Sequence, residues 1–448
     1  MDNIGEFAGK DKPESYHTNL VRELKKLDEK LHAFNLINED IGGGFPISVK
    51  DNICVKGFEA TAGSKILKGY IPPFNATCVE KILGNDYGFL GKTSMEEFGF
   101  GSLGINTEVP PRNPFDEKRV AGGSSAGAAV ATSILRYHAA ICESTGGSIS
   151  DPASFCGVVG FTPTYGVVSR YGLIDYANSL DKIGIMARSS RDIRGIFDII
   201  KGSDRYDTTC VDEKITDVKR KKLVVINQLM EGIDEEIKSS FDLLLGKLQN
   251  LGYKIEYVDL DFIEKAIPAY YIISMAEAST NLAKYTGFKY GYMEKDFTKP
   301  YNEFFTDARA NFGSEAKRRI AAGTFVRSAS VKKKYYYKAL KVRRAMMDRL
   351  SKILGDAFII SPTMPIKAPT FEEAEKLKPV QTYAIDILTV PSNLSGLPHI
   401  SFPMDYIKGM PTGAQITTNY FNDYALLDFV DDWEKSFKYR FKYNLGEI

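Results

Sequence analysis

Histidine and cysteine are scarce in this chain of 448 residues, four and five respectively, and there is one tryptophan. The cysteines (Cys54, Cys78, Cys142, Cys156, Cys210) are odd in number and form no CxxC, so neither a disulfide framework nor a zinc ribbon is supported. A reducing, cytoplasmic setting is expected. The histidines (His17, His32, His138, His399) lie far apart without HxH or HxxxH pairing, which leaves little for a transition metal; each reads as a core or surface residue. An excess of one charge is also lacking. With 58 Lys+Arg against 57 Asp+Glu the net charge is +1, which excludes an overall cationic nucleic-acid glove and an acidic, self-repelling chain. No uncharged apolar run reaches the roughly 18 residues a membrane helix needs. The first residues, MDNIGEFAGKDKPESYH, are polar and mixed in charge, so neither a secretory signal nor a transit peptide is expected.

What is present is enough apolar material, 44% of residues, for one large core. Leu20, Leu24, Leu27, Leu31 and Phe34 recur at helical spacing and predict an amphipathic helix over 18–34. After a glycine run, Ile47 to Val49 read as a strand that delivers Lys50 to its C-terminal end. Between Gly84 and Gly172 fall 15 of the 38 glycines, which calls for tight turns and close backbone approach. Within that stretch, 125–137 (SAGAAVATSILRY) predicts a buried helix starting beside Ser124. Residues 220–260 give strand, helix and strand, with Asp234 as the helix cap and Gly252 as its stop. The segment 314–350 reads as helical and basic, and 355–417 as short strands with proline turns. No repeat or linker divides the chain, so the expectation is an α/β fold over 1–448: a single large domain whose mixed β-sheet is covered by helices on both faces, with 44–190 as its core.

Three motifs are decoys on their own terms. Gly91-Lys92-Thr93 resembles the tail of a phosphate-binding loop, but the required earlier glycine is Asp86. Gly123-Ser124-Ser125-Ala126-Gly127 fits G-x-S-x-G, yet no apolar strand precedes it and only His138 and His399 follow. The cations and tyrosines of 317–319 and 332–344 could meet RNA, but on a helix they more often form a face of snorkelling stems.

Three other segments carry chemistry together: Lys50 in SVKDNI, Ser124-Ser125 in AGGSSAG, and Ser148 in ESTGGSIS. A serine hydroxyl needs a base, and with histidine so scarce a neutral lysine is the natural candidate. Burial at the end of an apolar strand favours that neutral form. Thr145-Gly146-Gly147 supply a turn whose N–H groups can converge on a developing oxyanion. Each segment alone has a plain alternative, a surface lysine or a glycine turn.

Taken with GKTSMEEF, FCGVVGFTPTYGVVSRYGLI and SLDKIG, these segments resemble the amidase signature family over 44–186. The resemblance implies a Lys, cis-Ser, Ser triad on a large mixed sheet: Ser148 as nucleophile, Ser124 as relay, Lys50 as general base, Ser125 as a supporting hydroxyl. AYYIISMAEASTNLAKYTGFKYG, EAKRRIAAGTF and DILTVPSNLSGLPHISFP are similar to one branch, the glutaminase (A) subunits of glutamyl-tRNA(Gln) amidotransferases. That branch implies glutamine as substrate, with Arg319, Asp386 and Tyr270 binding it. It also implies no cofactor in this chain, ATP and Mg in a tRNA-binding B subunit, a small C subunit, tRNA met mostly through the partner, and Glu-tRNA(Gln) or Asp-tRNA(Asn) as acceptor. Alternatives from the same residues are a stand-alone amidase of small amides and a catalytically silent scaffold. One departure stands out: Ser144 and Ser150 occupy positions where the family carries Asp and Arg, and the loss of both at once is expected to cost less than the loss of one partner of an ion pair.

Overall fold

Long apolar runs must be covered on both faces, and in the computed structural model, which describes residues 2–216 and 220–447, they lie in the middle of one sheet. Among the described residues its strands are β1 (Phe34–Ile37), β2 (Phe45–Lys50), β3 (Tyr87–Thr93), β4 (Ala139–Ser144), β5 (Val159–Thr162), β6 (Lys182–Ala187), β7 (Lys222–Ile226), β8 (Lys254–Val258), β9 (Phe358–Pro362), β10 (His399–Ile407) and β11 (Met410–Thr417). Their order is β1-β3-β2-β4-β6-β5-β10-β11-β9-β7-β8. The sheet is mixed: β2 runs parallel to β3 and β4, β7 runs parallel to β8 and β9, and antiparallel pairs join these two groups. β2, β4 and β6 are buried along their whole length, whereas the edge strand β8 is half exposed.

Helices cover the sheet. The helix Ala126–Ile134 is fully buried, and its small residues permit close approach: a side chain at Gly127 would meet the Ala33 carbonyl at 2.1 Å. The helix predicted over 18–34 spans Tyr16–Leu31 and stops because His32 adopts a left-handed conformation (φ 55°), after which Phe34 opens β1. Asp234 caps Glu235–Asn250 by accepting from Glu236 N at 2.9 Å, and the flanking β7 and β8 pair in parallel. The basic segment 314–350 is two helices, Ser314–Arg327 and Tyr336–Leu354, separated by a turn. Residues 355–417 hold β9 to β11 as expected, but also short helices at Phe371–Glu375, Pro379–Ala384 and Val390–Leu394. Two of these start with proline in the first helical turn, where its missing N–H costs nothing, so a residue read as a turn signal begins a helix. Among the described residues no helix is long and apolar enough to cross a membrane.

Candidate active site

Parallel pairing puts the C-terminal ends of β2 and β4 side by side, so Lys50 and Glu143 finish their strands at the same edge of the sheet. Loops that leave such ends are where open α/β sheets build sites. Lys50 is 0% exposed, and its Nζ donates to Ser124 Oγ at 2.8 Å, to the Glu143 carbonyl at 2.9 Å and to Glu143 Oε2 at 2.9 Å. Ser124 follows a cis peptide bond with Gly123, just before the buried helix. The Ser125 backbone N–H donates to the Ser148 carbonyl at 3.1 Å, and its hydroxyl donates to the Glu143 carbonyl at 3.2 Å. Lys50, Ser124, Ser125 and Ser148, far apart in the chain, are thus brought to one place.

The loop 145–149 leaves β4 and carries Ser148, 4% exposed, into the helix Ser150–Cys156. Its two glycines are required by what surrounds them. A Cβ on Gly146 would lie 2.7 Å from the Tyr270 hydroxyl, and one on Gly147 would lie 2.2 Å from Asp151 Oδ2. The N–H groups of Gly146, Gly147 and Ser148 donate to no acceptor among the described residues. From the other side, Asn393 Nδ2 donates to the Gly146 carbonyl and also meets His399 Nε2 at 3.1 Å. Burial and the nearby Lys182 charge hold His399 well below the usual imidazole range, so this histidine is a neutral brace of the loop. Ser144 and Ser150, the two departures, are fully buried, and their hydroxyls have no partner among the described residues.

A second cluster adjoins the loop. Arg319 is 2% exposed, which overturns the solvated-face reading for this member of the KRR run. Its Nε donates to Glu315 Oε1 at 2.8 Å and its Nη1 donates to Tyr176 OH at 2.6 Å. Four rings enclose the guanidinium: Phe100 at 5.0 Å, Tyr271 at 5.3 Å, Tyr383 at 5.5 Å and Tyr176 at 5.7 Å. Asp386 Oδ2 accepts from Ser102 Oγ and from Tyr271 OH, both at 2.8 Å. The Asp151 carboxyl is a buried neighbour of Asp386. Burial first, then the Asp386 charge, pushes Asp151 well above the carboxylate range, while burial pushes Asp386 up to about 6. Tyr270 packs edge-on against Tyr271 at 4.9 Å and faces Gly146, linking the two clusters. A cavity of about 780 Å³ reaches this second cluster at Glu315, past Thr61, Ser64, Glu97 and Asn106. Ser148 is not among the residues that line it.

Sequence reasoning missed Glu143, Asp151, Tyr176, Tyr271 and Tyr383. For Glu143 a signal existed, a glutamate ending the apolar run AAIC. For Tyr176, Tyr271 and Tyr383 none did, because they meet Arg319 only through the fold.

Comparison with known proteins now has a geometry to rest on. The family model described as Amidase matches residues 18–427. The A subunit of the glutamyl-tRNA(Gln) amidotransferase of Sulfolobus acidocaldarius is 38% identical over 97% of this chain and 96% of its own length; that of Methanosarcina mazei is 41% identical over 94% and 89%. The crystal structure of the glutamyl-tRNA(Gln) amidotransferase A subunit from Thermotoga maritima superposes with a TM-score of 0.82 at 35% identity, over 97% of this chain and 94% of that one. An amidase crystal structure superposes equally well, TM-score 0.82, at 26% identity over 98% and 100%. By matched length, identity and fold, the chain belongs to the amidase family.

Proposed function

We propose that this chain is the glutaminase subunit of a tRNA-dependent amidotransferase and that Ser148, Ser124 and Lys50 perform its amide chemistry. The single observation that carries the reading is the fully buried contact of 2.8 Å between Lys50 Nζ and Ser124 Oγ, next to the loop that bears Ser148. In this reading Ser148 attacks the side-chain carboxamide of glutamine and passes its proton through Ser124 to Lys50. The N–H groups of the Thr145-Gly146-Gly147 turn face the oxygen that gains charge. Collapse releases ammonia, and water hydrolyses the glutamyl-enzyme. Arg319 takes the α-carboxylate and Asp386 the α-ammonium, with Tyr270 packed between loop and pocket. Glutamine is a zwitterion, and a pocket with one fixed charge of each sign selects it over simple amides.

Relatives that are themselves A subunits support a role in a complex, with a B subunit that binds tRNA and uses ATP and Mg, a small C subunit, and amidation of Glu-tRNA(Gln) or Asp-tRNA(Asn) in the cytoplasm. No cofactor has a role in the chemistry assigned to this chain. The test is ammonia release from glutamine, asparagine and a simple amide, by the chain alone and with its partners, with Ser148→Ala as control. Glutamine-selective release that rises with partners and vanishes in the variant is expected. Partner-independent hydrolysis of the simple amide would instead identify a free-standing amidase, and release indifferent to Ser148→Ala would remove the catalytic reading.

A further inference from the structure

A glutamate at the end of a strand buried on both faces needs a reason, because an uncompensated buried carboxylate is costly. Glu143 is 1% exposed and every polar atom of its side chain is engaged. Oε2 accepts from Lys50 Nζ at 2.9 Å and from Asn52 Nδ2 at 3.1 Å, and Oε1 accepts from Thr145 Oγ1 at 3.1 Å. Its backbone carbonyl accepts a second N–H of Lys50 at 2.9 Å. An ammonium has three protons to donate, and those of Lys50 reach Ser124 Oγ and two oxygens of one residue, Glu143.

That count has a consequence for catalysis. A neutral amine keeps two N–H bonds and one lone pair. The charged and the carbonyl oxygen of Glu143 are the stronger acceptors and retain the two N–H bonds, so the lone pair is left pointing at the Ser124 hydroxyl. We propose that Glu143 is a positioning residue for the amide chemistry, a fourth member of the relay that aims Lys50 at Ser124 and compensates the ammonium formed when the proton arrives. The inference deepens the reading of Ser148, Ser124 and Lys50 given above and rests on it.

The proton count closes without a new reactant. As Ser148 Oγ bonds to the carboxamide carbon, its proton passes to Ser124 Oγ, whose own proton passes to Lys50 Nζ. On collapse the proton returns by the same path to the nitrogen, the C–N bond breaks and ammonia leaves. Water then repeats the attack on the ester and glutamate is released. Glu143 gives and takes no proton, as the carboxylate behind the imidazole of a Ser-His-Asp triad does not.

The Glu143 carboxylate, 2.9 Å from Lys50 Nζ, is the counter-charge that meets the ammonium when it forms. The other ionisable groups near the pair do not compete for this role near neutral pH. Burial pushes the Cys142 thiol up to about 12. Burial and the Glu143 charge push Asp181 well above the carboxylate range. Asp51, next to Lys50 in the chain, is engaged by Lys92 at 3.8 Å and by Asn35 at 3.1 Å.

Glu143→Gln tests the charge alone, since the new carbonyl can face Lys50 and Asn52 while the new amide faces the Thr145 hydroxyl. The full chain, alone and with its partner subunits, is assayed across pH for glutamine hydrolysis and for inactivation by a sulfonyl fluoride, a serine reagent that needs no α-amino or α-carboxylate contact. In Glu143→Gln the acid limbs of kcat/KM and of the inactivation rate should both move down by about one to three pH units, with a plateau lower by about tenfold. Glu143→Asp keeps the charge on a shorter arm, and should keep the limb near its wild-type position while the plateau falls. Limbs that coincide in wild type and Glu143→Gln, with Ser148→Ala inactive, would overturn the role of Glu143 and leave the catalytic reading intact. Ammonia release and inactivation that persist in Ser148→Ala would overturn both. Should Glu143→Gln fail to fold, Glu143→Asp decides, because a plateau equal to wild type would also overturn the role.

Discussion

Two buried charge clusters lie side by side in this molecule, and they are built on opposite plans. At the strand ends, Lys50 and Glu143 are in contact at 2.9 Å, cation against anion, with their donors and acceptors met from inside the protein. In the neighbouring pocket Arg319 and Asp386 are each held separately: the arginine pairs with Glu315 within a box of rings, and the aspartate accepts from Ser102 and Tyr271. Contact fixes the position of a group, whereas holding the two opposite charges on separate partners leaves each of them without the other as its counter-ion. In the proposed function the first plan serves proton movement and the second serves recognition of a substrate.

The sharpest way to break that distinction is to remove Lys50. Lys50→Met should lower amide hydrolysis by about 10³-fold, and also destabilise the fold by about 3–5 kcal/mol, because Glu143 is left buried and unpaired. Thermal melts separate the two effects: Lys50→Met with Glu143→Leu should recover most of the stability and none of the activity. A double variant as unstable as the single would show that the pair is not a contact unit. In the Arg319 cluster, with its proposed role in recognition, the effect should fall on binding. Arg319→Lys loses the planar fork that pairs with Glu315 and, in the proposed role, with a carboxylate, so KM for glutamine should rise by about 10- to 100-fold with a smaller change in kcat. Hydrolysis of a simple amide, which has neither charge, should not change. Equal losses on both amides would place Arg319 in the folding of the loop and not in recognition.

The two clusters were also unequally legible in the sequence. Lys50 could be found because ISVK reads as a strand whose end carries the cation, and Ser124 and Ser148 because each sits in a short glycine motif. Glu143 carried a weaker signal, a single glutamate ending the apolar run AAIC, and its partner lies 93 positions away. Arg319 stood in a run of three cations that only burial could tell apart, although Glu315 at i−4 was a local hint of an internal pair. The rings around it come from four separate segments, and periodicity carries no information on such meetings. The order of the sheet was equally out of reach, since β10 and β11 insert between strands that precede them by more than 200 residues on one side and by about 40 on the other.

Acidity probes the recognition cluster more gently. Asp386, pushed up to about 6 by burial, must be ionised to hold an α-ammonium, so KM for glutamine should rise as pH falls through about 6, at most tenfold per pH unit. The sign for stability is the reverse. A carboxyl raised in the folded state favours folding while it is protonated, and that contribution is lost as pH rises from the ordinary carboxylate range through about 6. Asp386→Asn should therefore melt higher than wild type above pH 6 while binding glutamine poorly at every pH. A pH-independent KM in the wild type would remove Asp386 from the site.

The smallest effects are expected at Ser144 and Ser150, which flank the loop bearing Ser148 without joining either cluster. Both are fully buried, and neither hydroxyl has a hydrogen-bond partner among the described residues. Deleting an unpartnered hydroxyl removes a desolvation cost and leaves no group stranded, so Ser144→Ala and Ser150→Ala should each change stability by less than about 1 kcal/mol and activity by less than about twofold. Thr145 is the built-in contrast: its hydroxyl donates to Glu143 Oε1 at 3.1 Å, so Thr145→Ala leaves a buried carboxylate oxygen short of a donor and should cost about 1–3 kcal/mol. Alanine scanning of 144, 145 and 150 by thermal melts and ammonia release thus reads the boundary of the proton-moving cluster residue by residue. A loss at Ser144 or Ser150 as large as at Thr145 would mean that the loop is held from both flanks, and that the contact between Lys50 and Glu143 is one part of a wider frame.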